Sequence, residues 1–337
     1  MKSKRIFSVV IALFVGGQSF AKLNVVTTTP DLASIASYVG GKNVSVKSIV
    51  TGARDPHRIE AKPSYMSQIS RADLFIAIGL DLEIGYERVL LDGSRNSHVR
   101  IGALGHLYAS EGALVLDRPT GTVTRAQGDI HPYGNPHIWL DPYNGRVVAQ
   151  RIAERMSALD TSNAGDYKKG ARNFIDKLDR KMFGDALVEK YGGEELWQWE
   201  RNGELFEQLR KVGSMNLLGG WVKASQVFRG KTIITYHRSF VYFINRFDLR
   251  SIGELEPKPG IEPTPGHLAS LMRRAQEENV RVIIQEPFYS TRHANFVASR
   301  IGAKVVILPG NIGHDSSAKD YFSLFDTIIS RLREAFS

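Results

Sequence analysis

Three short segments of this 337-residue chain end on histidine: Asp55-Pro56-His57, Asn135-Pro136-His137 and Thr235-Tyr236-His237. Imidazole is a good ligand for borderline divalent ions, and in a chain without cysteine it is the natural one. One histidine beside a proline is more often a packed turn residue. Three of them, each closing or following an expected structural element, form the pattern of a dispersed metal site. Three histidines with an open fourth position also describe a secreted zinc-dependent hydrolase, although no H-E-x-x-H motif is present.

The first residues bear on the compartment. Lys2, Lys4 and Arg5 precede an apolar run from Ile6 to Val15, and Ser19-Phe20-Ala21 has the small-residue spacing of a cleavage site. Residues 1–21 therefore read as a signal peptide removed before Lys22, and the destination as the periplasm. The apolar run is too short to span a bilayer, which takes about twenty residues. With no cysteine there is neither a lipid anchor nor a disulfide, so stability must come from buried cores. Three of the basic residues behind the formal charge of +9 lie in this leader. The rest are dispersed on mixed helices with no basic run interleaved with aromatics, which argues against nucleic acid as a partner.

Positioning three distant histidines requires a scaffold, and the pattern is that of parallel α/β layers. Strands are expected over Leu23–Thr28, Val44–Val50 and Leu74–Ile78, with a helix over Pro30–Val39. A second set is expected over Lys231–Tyr236, Leu249–Glu254, Arg281–Gln285 and Lys304–Leu308. Thr264-Pro265 opens a helix reaching Glu278, and helices are expected over Gly145–Leu159 and Asn163–Phe183. The expected organisation is an N-terminal lobe (22–160), a linking helix (161–186) and a C-terminal lobe (187–337). In open parallel sheets ligands bind beyond the carboxyl ends of strands. His237 and Glu286 stand there in the second set.

The ordered motifs Thr27-Thr28-Thr29-Pro30-Asp31-Leu32, Asp55-Pro56-His57, Arg71-Ala72-Asp73-Leu74, Asn135-Pro136-His137-Ile138-Trp139-Leu140-Asp141-Pro142, Tyr236-His237, Glu256-Pro257 and Gln285-Glu286-Pro287 span nearly the whole mature chain. In them the chain resembles the zinc- and manganese-binding solute-binding proteins of ABC importers. The resemblance implies two α/β lobes joined by one long helix with the metal site in the cleft between them. It further implies His57, His137 and His237 as ligands, and a membrane permease with its ATPase as partner. Three neutral imidazoles favour Zn²⁺ as the transported ion over Mn²⁺, which prefers more oxygen donors. The expected protein is a monomeric, non-catalytic binding protein; the other readings are the hydrolase and a manganese-binding or adhesin-type relative.

The family's usual Asp ligand after the last strand is missing, since Pro309-Gly310-Asn311 stands there. Glu286 is the leading fourth ligand, with Asp315, His314 or water as rivals. The histidine-rich loop of zinc members is reduced to His131 and perhaps His106. A stretch over about 187–228, with Trp197, Trp199 and Trp221, is extra and reads as a packed helical insertion. His98 and His293 are expected at the surface and His267 in a helix's first turn. Glu256 reads as part of a constrained turn.

Overall fold

The structure, a computed structural model, describes residues 22–121 and 131–337, so the expected leader lies outside the described residues. The strands are β1 (Leu23–Thr27), β2 (Val44–Ser48), β3 (Leu74–Ala77), β4 (His106–Tyr108), β5 (Thr232–Thr235), β6 (Arg250–Glu254), β7 (Val282–Gln285) and β8 (Lys304–Ile307). They form two sheets of the same topology, β2-β1-β3-β4 and β6-β5-β7-β8, with every pairing parallel. The central strands β3 and β7 are buried at every position, which is why they read as continuous apolar runs instead of alternating ones.

The helices of the first lobe are α1 (Pro30–Gly40), α2 (Pro63–Ile69) and α3 (Glu87–Ser94). Between the sheets come α4 (Pro142–Leu159), α5 (Ala164–Phe183), α6 (Asp185–Tyr191), α7 (Gly193–Arg201), α8 (Leu205–Lys211) and α9 (Gly220–Ala224). The second lobe adds α10 (Val241–Arg246), α11 (Pro265–Glu277), α12 (Arg292–Ile301) and α13 (Tyr321–Phe336). Several starts are encoded locally: Thr29, Asp141 and Thr264 each cap the backbone N–H groups of a helix that opens on proline. Gly170 sits mid-helix in α5 because a Cβ there would come 2.1 Å from the Val39 carbonyl oxygen. The missing side chain lets α5 lie directly on α1. Among the described residues no helix is long and apolar enough to cross a membrane.

Two readings change at this level and one holds. The three-residue strand β4 went unforeseen, being too short to show periodicity. His106, linked above to a loop, is instead a buried β4 residue whose Nε2 lies 3.0 Å from Glu87 Oε1. The extra tryptophans do pack: Trp197 and Trp221 are buried and Trp199 is packed against the same core.

That core is shared. The inner faces of both sheets, through Leu74, Ile76, Ile233 and Ile284, belong to one continuous apolar cluster running through α1, α4, α5, α10 and α13. Separate smaller clusters cover the outer faces, under α2 and α3 in one lobe and α11 and α12 in the other.

One buried acid marks the seam between the lobes. Asp31 accepts a hydrogen bond of 3.1 Å from the Ile312 N–H while its other oxygen has no partner, and burial pushes its pKa up to about 7. A carboxyl raised in the folded state contributes fully below its unfolded pKa of 3.8 and costs stability as pH climbs to about 7. Asp31→Asn keeps the acceptor and removes the charge. It should raise stability at pH 8 by about 2 kcal/mol and leave it unchanged at pH 3.5, read from urea unfolding at both pH values.

Candidate metal centre

The carboxyl ends of the strands supply the centre. The connection after β2 carries His57, and the long connection after β4 ends in His137, just before a 3-10 turn at Ile138–Leu140. His237 follows β5 by two residues, and Glu286 follows the adjacent strand β7 directly. Their nearness follows from the strand order, which reverses between β5 and β7.

One ligand nitrogen from each of His57, His137 and His237 lies within 4.8 Å of the others, the only such group of three among the described residues. The ring centroids stand 5.0 to 5.7 Å apart. A tetrahedral zinc site with Zn–N bonds of about 2.0–2.1 Å places nitrogens about 3.4 Å apart, so the triad needs only a small contraction around an ion. The three close a buried cavity of about 10 Å³ together with Asp55, Trp139, Ser239, Glu286 and Asn311. That volume suits one small occupant.

Each imidazole is oriented from behind. Nδ1 of His57 lies 2.8 Å from Asp55 Oδ1, that of His137 2.9 Å from Asn135 Oδ1, and that of His237 2.7 Å from Glu256 Oε2. A proton committed to Nδ1 leaves Nε2 as a lone-pair donor, the arrangement of imidazoles that hold metal. Asp55 and Asn135 also accept the N–H of the histidine two residues on, so each x-Pro-His turn fixes its own ring. His57 Nε2 is buried and has no partner. Burial pulls the His137 pKa well below the ordinary value, keeping that ring neutral. Burial also opposes charge on His237, yet the carboxylates of Glu256, Glu286 and Asp55 together outweigh it and raise the pKa.

Glu286 is buried and offers one bare oxygen. Its Oε1 accepts from the Ser239 hydroxyl, while Oε2 has no partner, and burial raises the carboxyl to a pKa of about 7. The loop after β8 makes room for it, since a Cβ at Gly310 would come 3.0 Å from Glu286 Cγ. Its oxygens lie outside the 4.8 Å group formed by the histidines.

The other rivals stand elsewhere. Asp315 accepts from the hydroxyl and N–H of Ser317 and pairs with Arg331 at 2.5 Å, which together hold its pKa down to about 2. His314 approaches Arg54 O at 3.2 Å and Asn311 at 3.3 Å, and neither Asp315 nor His314 lines the cavity. His267 binds the Glu254 carbonyl at 2.8 Å, His98 is exposed and His293 is half-buried.

Three contributors were not foreseen. Glu256 does more than stiffen a turn, because its carboxylate takes the His237 proton and the Gly260 N–H at 3.1 Å. The buried Asn311 points an unpartnered Oδ1 from the cavity wall. His131 repeats the ligand pattern: one ring nitrogen donates to the Leu80 backbone, Nε2 is buried without a partner, and its ring lies 5.2 Å from that of His57.

Comparison with known proteins fits this geometry. The family model described as zinc-uptake complex component A, periplasmic, matches residues 25–182 and 218–335. The metal ABC transporter substrate-binding lipoprotein SloC of Streptococcus mutans is 23% identical over 320 residues, covering 94% of this chain and 90% of that protein. The manganese ABC transporter substrate-binding lipoprotein PsaA of Streptococcus pneumoniae is 24% identical over 319 residues, covering 94% and 89%. Among solved structures, a crystal structure of ZnuA superposes with a TM-score of 0.69 at 22% identity, covering 94% of this chain and all of that one. A manganese-bound periplasmic metal-binding protein from Candidatus Liberibacter asiaticus gives 0.67 at 18% identity, with coverage of 94% and 100%.

Proposed function

The chain belongs to the zinc-uptake component A family, the substrate-binding components of metal ABC transporters, and on that premise we propose that it captures Zn²⁺ outside the inner membrane and delivers it to a permease driven by an ATPase. The observation that carries the choice of ion is the triad of imidazoles, each anchored through Nδ1 to an oxygen acceptor and turned toward one small cavity. Three neutral nitrogens with a single carboxylate suit tetrahedral zinc, whereas manganese favours higher coordination by oxygen. Manganese stands in the names of several relatives, PsaA among them, so the ion must be measured. Metal analysis of protein taken from its native compartment should return zinc in a one-to-one ratio. Manganese in its place would overturn the assignment.

The site also suits capture more than catalysis. His57 and His137 come from one lobe and His237 from the other, so a bound ion is held by both lobes at once. Export through the leader 1–21, function as a monomer and the absence of a lipid tether complete the proposal.

Glu286 is the proposed fourth donor, lying on the cavity wall with a bare Oε2. His131 supports a second reading, because its Nε2 is bare and its ring lies 5.2 Å from that of His57. The two readings separate in one experiment. Glu286→Gln should weaken zinc binding about tenfold, while His131→Ala should change it less than about threefold. The reverse ranking, by competition with a chromogenic chelator, would move the fourth position to His131.

A further inference from the structure

We propose that the helical insertion α6–α8 is a brace that holds the two lobes at the spacing the metal centre needs, acting through α7. The family model leaves residues 183–217 unmatched, and α6, α7 and α8 fall within that gap. The brace therefore belongs to this chain's own architecture.

A buried ion pair, Arg246 with Asp141, crosses between the lobes. Asp141 caps α4 just beyond the turn that follows His137, and Arg246 ends α10 just beyond the turn that follows His237. The Arg246 guanidinium grips the Asp141 carboxylate with Nε to Oδ1 and Nη2 to Oδ2, both 2.8 Å. Both side chains are almost wholly buried. This planar fork fixes orientation as well as distance, so the segments carrying His137 and His237 are registered against each other.

Helix α7 completes that pair and ties it to a second one. Glu200 accepts the remaining Arg246 Nη1, so one carboxylate of the insertion engages the second lobe. One turn away the Trp197 ring meets two guanidinium groups, Arg246 at 5.3 Å and Arg146 at 5.8 Å. Its indole N–H donates to Asp179 of α5 at 2.7 Å, and Asp179 in turn stands 3.0 Å from Arg146 Nε on α4. Arg201 reaches the Tyr143 hydroxyl at 2.7 Å, and Glu194 meets Arg146 at 2.8 Å from the exposed rim. A single two-turn helix thus touches the first lobe through α4, the connecting helix through α5 and the second lobe through α10. Arginine on an indole face gains more where water is excluded, as it is around the buried Trp197.

A brace of this kind pre-sets the lobes in the metal-free protein. Binding then costs little rearrangement, and the ion leaves slowly because the lobes do not spread to release it. Trp197, Glu200 and Arg246 are positioning residues here; none faces the cavity. The inference rests on the proposed zinc reading for release kinetics, but not for lobe spacing.

Both are testable in the mature chain. With no native cysteine, Arg71→Cys in the first lobe and Arg292→Cys in the second, both at exposed positions, accept spin labels for pulsed distance measurement. The Trp197→Phe/Glu200→Gln double variant should show a broader interlobe distance distribution than the parent without metal. Zinc should restore the narrow one. Zinc release into excess chelator should quicken about three- to tenfold, with the cobalt-substituted visible spectrum unchanged. The exposed Glu195→Gln is the control and should alter neither quantity. An unchanged metal-free distance distribution in the double variant would overturn the brace, whether or not release quickens. Failure of the parent to bind zinc, with the broadening still seen, would overturn the choice of ion and leave the brace standing.

Discussion

Replacing His137 or His237 with alanine is expected to lower zinc affinity at least about tenfold and to abolish much of the stabilisation that zinc confers, while the metal-free protein stays folded. Each ring supplies one of the three nitrogens that lie within 4.8 Å of one another, and the bare imidazole of His131 lies outside that group. A ligand that binds only the native state stabilises it in proportion to the logarithm of its concentration over the dissociation constant. A hundredfold loss in affinity therefore removes about 2.7 kcal/mol of zinc-induced stabilisation at saturating metal. His57→Ala should behave the same way. His267→Ala should do nothing, its ring being occupied by the Glu254 carbonyl. Titration calorimetry paired with thermal melts, with and without zinc, reads both quantities; unchanged affinity in any of the three would strike that residue from the site.

Arg246→Met is expected to be the most destabilising single change away from the metal centre. It leaves the Asp141 carboxylate, 1% exposed, without its counter-charge. Breaking one side of a buried pair costs about 3–5 kcal/mol, because the remaining charge can neither pair nor reach water. For a chain of this length that is a drop of roughly 5–8 °C in melting temperature. Adding Asp141→Asn should recover part of the loss, since asparagine still caps α4 and carries no charge. A single variant that melts with the parent, or a double variant less stable than the single, would contradict the pairing.

The legible parts of this protein were those written in local chemistry. Strands β3 and β7 announce themselves as apolar runs, and Thr29-Pro30 and Thr264-Pro265 carry helix starts in two residues each, whereas the helix expected from Gly145 in fact starts at Asp141-Pro142. The x-Pro-His segments were legible for the same reason, since Asp55 and Asn135 orient the ring two positions away. What escaped depended on contacts between distant segments. Glu256 meets His237 from 19 residues away, and Asn311 reaches the cavity from a loop without periodicity. His131 gains meaning only from the nearness of His57. Nor could spacing show that Gly310 leaves room for Glu286, a matter of one absent Cβ.

The apolar cluster shared by the two sheets has a consequence for the molecule's integrity. Ile76 in one sheet and Ile284 in the other lie in the same cluster as Phe174, Phe183, Tyr321 and Phe325. Cutting the chain between its halves would split that cluster and expose two sticky faces, so neither half is a self-sufficient folding unit. Two lobes by topology, the protein is a single body by thermodynamics: it must fold and eventually be degraded as a whole.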